Sequence, residues 1–137
     1  MDRLTQRIAL AKKALLTLQE LENEPESKVR RDASIQRFEY SFEAMWKLAK
    51  QYLNEIEGLD IGSPKGVIRA CFQVNILTHT QAQQALTMAD DRNLTSHTYN
   101  EFLAEEIYGR IKDYQILMWD WLNQLANRLD SIPLSPQ

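Results

Sequence analysis

This 137-residue chain has only two histidines, and one of them, His97, lies in the polar stretch DDRNLTSHTY, five residues after Arg92. An arginine offers a planar fork of donors suited to a phosphate or to charge building on a phosphorane. A histidine titrates near neutrality and can move the proton of a ribose 2′-hydroxyl or of a 5′-oxygen leaving group. Arg92 as electrostatic stabiliser and His97 as acid or base would together suffice for RNA cleavage without a metal. Asn93 can orient the scissile phosphate or the imidazole. The spacing alone does not establish a site, because R-x4-H is common by chance and a loop histidine is usually just a solvated polar residue.

Geometry limits what this pair can do. On an unbroken α-helix, residues five apart point roughly 140° away from each other, at about 100° per residue. Arg92 and His97 would then diverge. Thr98 and Glu101, however, form the S/T-x-x-E pattern of a capping box. That pattern predicts a helix starting at Thr98, with LTSH as a break across which both side chains can turn into one cleft. Tyr99 falls in the first turn beside them.

The elements that must position these residues read as helices throughout. Leu4, Ile8, Ala11, Leu15 and Leu18 recur at spacings of three and four and predict a helix over about 2–21. Pro25, within ENEPESK, ends it. A long helix over about 28–57 carries Ile35, Phe38, Phe42, Met45, Trp46, Ala49, Leu53 and Ile56, with Gly58 just beyond its end. The aromatic stripe Phe38, Phe42 and Trp46 reads as core or subunit interface. Ser63 followed by Pro64 is an N-cap with proline at the first helical position, and opens a short helix through Val67, Ile68, Cys71 and Phe72 that reaches as far as Ile76.

Thr78 or Thr80 caps the next helix, running from about Gln81 through Ala82, Ala85, Leu86 and Ala89. His79 reads as a capping or surface residue. The last helix spans about 99–129, with Leu103, Ile107, Ile111, Tyr114, Met118, Trp121, Leu122, Leu125 and Leu129 on one face. Trp119 and Trp121 lie on different faces of it, so one of them should meet a partner or solvent. These elements make an all-α bundle of four or five helices with short connections. It forms a single domain over 1–130, followed by a frayed tail, 131–137, with two prolines.

Composition narrows the function classes. Net charge is −3 and pI about 5.4, which argues against a broad phosphate footprint and against stable DNA binding. A small, locally positive cleft remains compatible with that average. No apolar run approaches the roughly 18–20 residues that span a bilayer, and MDRLTQRIALAKKALLTL lacks a signal-peptide core. The lone cysteine, Cys71, fits a reducing compartment. A soluble, cytoplasmic protein is expected. No zinc-ligand spacing, P-loop, dinucleotide fingerprint or nucleophile elbow occurs, so neither a metal nor a cofactor is expected.

Three segments also carry a resemblance. RDASIQRFEYSFEAMWKLAKQYL resembles an R-F-E-x-[TS]-F-E-x-x-W-K signature, SPKGVIRACF an S-P-[RK]-x-V-[IL]-[RK]-x-A-F segment, and DDRNLTSHTYNEFLAEEIY a D-R-N-x-[TS]-x-H-x-Y segment. Together they resemble the HepT-like branch of the HEPN proteins, long labelled nucleotidyltransferase substrate-binding proteins, over about residues 3–125. The resemblance implies an antiparallel helical bundle that pairs as a two-fold homodimer, made beside an MNT-type nucleotidyltransferase. It implies a metal-independent ribonuclease toxin with Arg92 and His97 as the catalytic pair and Asn93 in support. Tyr99 would be the hydroxyl that the partner, acting as antitoxin, modifies with AMP, since a bulky anion beside the histidine would repel an RNA phosphate. The alternative implied by the same resemblance is a non-catalytic subunit that binds a nucleotide or substrate for the nucleotidyltransferase. Two positions depart from the pattern: Ala85 stands where many relatives have tryptophan, and Asn75 where they often have glycine.

Overall fold

The computed structural model describes residues 2–130, so the tail expected at 131–137 lies outside the described residues. Five α-helices make up the described chain: α1 Arg3–Gln19, α2 Lys28–Ile56, α3 Pro64–Gln73, α4 His79–Leu94 and α5 Glu101–Asp130. No strand occurs among the described residues. Two 3-10 turns, Glu20–Asn23 and Thr95–His97, extend α1 and α4. α1 thus stops short of the helix predicted to reach residue 21, and its last turn tightens where ENEPESK takes over.

Caps explain the boundaries. Asp2 accepts from the Thr5 N–H, Ser27 from Arg30 and Ser63 from Gly66, each satisfying an orphan donor of a first turn. Thr78, not Thr80, caps α4, and Gln81 reaches back to the Thr78 N–H, so His79 opens the helix rather than preceding it. α2 ends as expected before Gly58, at φ +73°. α3 ends in a Schellman arrangement: Ile76 N–H bonds Cys71 O at 2.8 Å and Asn75 N–H bonds Phe72 O at 3.1 Å. Asn75 sits there at φ +65°, which explains why glycine suits that position and why asparagine substitutes for it.

α2 is the central rod. It runs antiparallel to α1, with Arg7 against Gln51 and Arg37 against Thr17. It runs parallel to α5, with Arg31 against Glu101 near one end and Arg128 against Tyr52 near the other. The α3–α4 pair makes that return possible, and α4 lies antiparallel to α5. Phe38, Phe42, Met45, Leu48, Ala49 and Leu53 of α2 are fully buried, and Phe38 stacks on Tyr114 with ring centroids 5.5 Å apart. The first two aromatics of the stripe are therefore core, whereas Trp46 is only partly buried. Trp121 is wholly buried and Trp119 partly so, which splits the pair as its facing predicts. Burial pushes the Cys71 thiol up to about 12, so it carries no reactive thiolate near neutrality. No helix of the described residues is long and apolar enough to cross a membrane.

Candidate functional site

The polar stretch is the junction between α4 and α5. α4 continues through Arg92 to Leu94, then Thr95–His97 tighten into a 3-10 turn. The break at LTSH is therefore real, but its exit differs from the expected one. Thr98 does not cap α5; its hydroxyl donates to Thr95 O at 3.0 Å. Asn100 takes that role, its Oδ1 accepting from Leu103 N–H at 3.2 Å. Glu101 is drawn away from any capping box by Arg31, whose Nη1 lies 2.6 Å from its carboxylate. α5 accordingly starts at Glu101, and Tyr99 stands in the turn before it.

Arg92 occupies the last turn of α4 with its side chain 30% exposed. Its Nε donates to Glu43 Oε1 at 2.8 Å, while its terminal nitrogens make no hydrogen bond among the described residues. Glu43 is the hub of this contact. Its other oxygen accepts from Trp46 Nε1 at 3.2 Å and lies 3.7 Å from Lys47 Nζ. One turn of α2 earlier, Glu39 Oε2 accepts from the Thr95 hydroxyl at 2.7 Å. Glu39 and Glu43, four residues apart on one face of α2, thus grip the end of α4 at two points.

Three further contacts fix the junction. Asp91 is 4% exposed, takes both Nε and Nη2 of Arg110 at 2.7 and 3.0 Å, and accepts from the Tyr114 hydroxyl at 2.5 Å. Burial first, and then this carboxylate, raises the Tyr114 hydroxyl above its ordinary value, while Asp91 holds Arg110 firmly charged. Lys65, from SPKG, meets Asp90 at 2.5 Å. Arg31, almost buried, binds Asp32, Glu101 and Glu105, and holds Glu101 below the usual carboxylate range.

The catalytic candidates stand apart from this scaffold. His97 is exposed, and its ring meets Tyr99 edge-on, with centroids 6.1 Å apart. Tyr99 is 83% exposed, and the Asn93 side chain is exposed with no hydrogen bond among the described residues. Leu94 and Phe102 add exposed apolar surface on either side. Within one chain, Arg92 is engaged by Glu43 and not by His97, so no hydrogen bond joins the expected pair. Among the described residues no three His, Cys, Asp or Glu side chains are placed to hold a metal ion.

Glu39, Glu43, Asp91 and Arg31 are site-building residues that a search for catalytic types passes over. The E-x-x-x-E spacing in RFEYSFE was the available signal, since it places two carboxylates on one helix face.

The model of the nucleotidyltransferase substrate binding protein-like family matches residues 6–127. The chain belongs to that family, in its HepT-like HEPN branch. One relative in this family is a probable ribonuclease HepT from Haemophilus influenzae, 31% identical over 99 residues, which cover 69% of this chain and 66% of the relative. A crystal structure of a Thermus thermophilus protein is 55% identical, with a TM-score of 0.81, over 84% of this chain and 98% of the other. The fold is shared with a tri-AMPylated Shewanella oneidensis HEPN toxin solved in complex with its MNT antitoxin, at a TM-score of 0.76 and 15% identity, over 93% and 99% of the two chains.

Proposed function

We propose that this chain is a metal-independent ribonuclease toxin, neutralised when a partner MNT-type nucleotidyltransferase adds AMP to Tyr99. The observation that carries this reading is the pairing of an open His97–Tyr99 edge with Arg92, which is fixed through Nε while its terminal nitrogens stay open. Such an arginine can present two donors to a phosphate without losing its anchor. In the reaction the ribose 2′-oxygen attacks phosphorus and the bond to the 5′-oxygen breaks, leaving a 2′,3′-cyclic phosphate and a 5′-hydroxyl. His97 removes the 2′ proton or delivers one to the leaving oxygen; Arg92 stabilises the charge on the phosphorane, and Asn93 orients the phosphate.

Two chains would act together. Exposed Leu94 and Phe102 offer apolar area for a two-fold contact that brings two junctions to one cleft and leaves Tyr99 open beside it. Modification is chemically simple at Tyr99, whose hydroxyl is accessible: the phenolic oxygen attacks the α-phosphorus of ATP and pyrophosphate leaves. The added phosphate would then repel RNA beside His97. The relatives named as a probable ribonuclease HepT and as an AMPylated toxin support this reading.

The experiment is cleavage of RNA by AMP-free protein in the presence of a chelator. Wild type should cut, while Arg92→Ala and His97→Ala should lose about 10²-fold or more with the fold intact by circular dichroism. Intact mass after co-expression with the partner should show AMP on wild type and none on Tyr99→Phe. Wild-type protein that leaves RNA whole yet binds the partner tightly would instead make it a non-catalytic substrate-binding subunit.

A further inference from the structure

A second concave surface adjoins Glu43 on the side away from Arg92. Arg3 and Arg7 from the first turns of α1 face Lys47 and Lys50 of α2 across a cavity of about 410 Å³. Partly buried Trp46 lines the same cavity, and Asp60 is its one carboxylate. Lys50 meets Asp60 only at 3.9 Å, a loose and exposed pair that neutralises little. Four cations around one concavity give a local positive field in a chain whose net charge is −3.

One residue, Glu43, links the groove to the junction. Lys47 Nζ lies 3.7 Å from Glu43 Oε2, and Glu43 Oε1 holds Arg92. Glu43 therefore meets a cation on each side, and its charge does not bar an anion from crossing between Lys47 and Arg92. Trp46, tied to Glu43 through Nε1, lines the groove with Lys47 and adds aromatic surface on which a base can stack.

We propose that this groove binds the phosphate backbone of single-stranded RNA and leads it to Arg92 and His97. The inference rests on the ribonuclease reading and assigns the path by which its substrate arrives. Cations on two facing helices, with an aromatic in the same narrow groove, fit a flexible single strand better than the wide, rigid footprint of a duplex.

The test uses a fluorescent 2′-O-methyl RNA, which binds but offers no 2′-hydroxyl for cleavage. Lys47→Gln/Lys50→Gln should weaken binding on the order of tenfold at low salt. It should also make the slope of log affinity against log salt shallower by about 1.4, at roughly 0.7 per phosphate contact on single strands. Lys12→Gln/Lys13→Gln, on the exposed face of α1, should leave both unchanged. Equal binding by the groove variant and wild type, an equal loss in the control, or no RNA binding by wild type overturns the groove. So does a groove variant that loses only the nucleotidyltransferase partner. A wild type that binds through Lys47 and Lys50 but cuts no unmodified RNA sinks the nuclease reading and leaves the groove standing.

Discussion

Asp91 is 4% exposed and accepts three hydrogen bonds from α5, whereas His97, a little further along the same stretch, is exposed and its imidazole makes no hydrogen bond among the described residues. Between them lies Arg92, half of each kind: held at Nε by Glu43 and open at its tips. The contrast separates two tasks that polar residues perform in one short segment. Asp91, Thr95 and Glu101 commit their hydrogen-bonding capacity to α2 and α5, and fix where the junction lies. The side chains of His97, Tyr99 and Asn93 commit none of it, which leaves them available to something outside the chain. Density of polar residues alone does not distinguish these tasks; burial and partners do.

The comparison breaks most decisively if the two ends respond alike to truncation. Removing the imidazole in His97→Ala should cost RNA cleavage about 10²–10⁴-fold and leave urea stability within about 0.5 kcal/mol, as for other exposed positions. Asp91→Ala should do the reverse in kind. It strands the buried Tyr114 hydroxyl and frees Arg110, so unfolding free energy should fall by about 3 kcal/mol. If Asp91→Ala keeps full stability, or His97→Ala unfolds the protein, the division between scaffold and open edge is wrong.

The intermediate case is Arg92, and Glu43 tests it. Glu43→Gln keeps an acceptor for Nε but removes the charge, and Glu43→Asp keeps the charge on a shorter reach. If Glu43 positions Arg92, the Nε–H resonance of Arg92 should move in both variants. Cleavage should fall about tenfold in Glu43→Gln, worth about 1.4 kcal/mol of barrier, with partial rescue in Glu43→Asp. A faster Glu43→Gln enzyme would show instead that the carboxylate competes with phosphate for the guanidinium.

Much of this was legible in the sequence, for reasons that also mark where reading stopped. The apolar stripes of α1, α2 and α5 are long enough for the 3.6 period to be unmistakable, and Ser63–Pro64 and Gly58 punctuate them with local chemistry. Thr98 misled because S/T-x-x-E is satisfied by composition alone. The competing partner of Glu101, Arg31, lies seventy positions away, and only folding reveals that Asn100 is the residue left free to cap. The break at LTSH was inferred from that same pattern, and it holds for a different reason: α4 ends at Leu94 in a 3-10 turn and Asn100 caps α5. The spacing of Glu39 and Glu43 put two carboxylates on one face of α2, but not their partners Arg92 and Thr95, which α4 brings to them only on folding. Arg92 and His97 were found by residue type. Their expected convergence does not appear in one chain, where Arg92 is held by Glu43 and His97 meets only Tyr99.

The smallest expected effect concerns the anchor at the start of α5, which the same comparison places on the scaffold side. Hydrogen bonding to Arg31 depresses the Glu101 pKa below its ordinary 4.5. A depressed carboxylate contributes stability that is fully present above its unfolded value and disappears as pH falls through the native one. The first turn of α5 should therefore keep its hydrogen-exchange protection from neutral pH down to about 4.5, then lose it progressively below, before global unfolding. Arg31→Gln should weaken that protection at neutral pH and flatten its acid dependence, because the largest cause of the Glu101 depression is then gone. Its amides would report the change locally, while those around Phe42 in the core should stay protected throughout. Uniform loss across α2 and α5 at the same pH would mean that Arg31 holds the whole bundle rather than the edge on which Tyr99 stands.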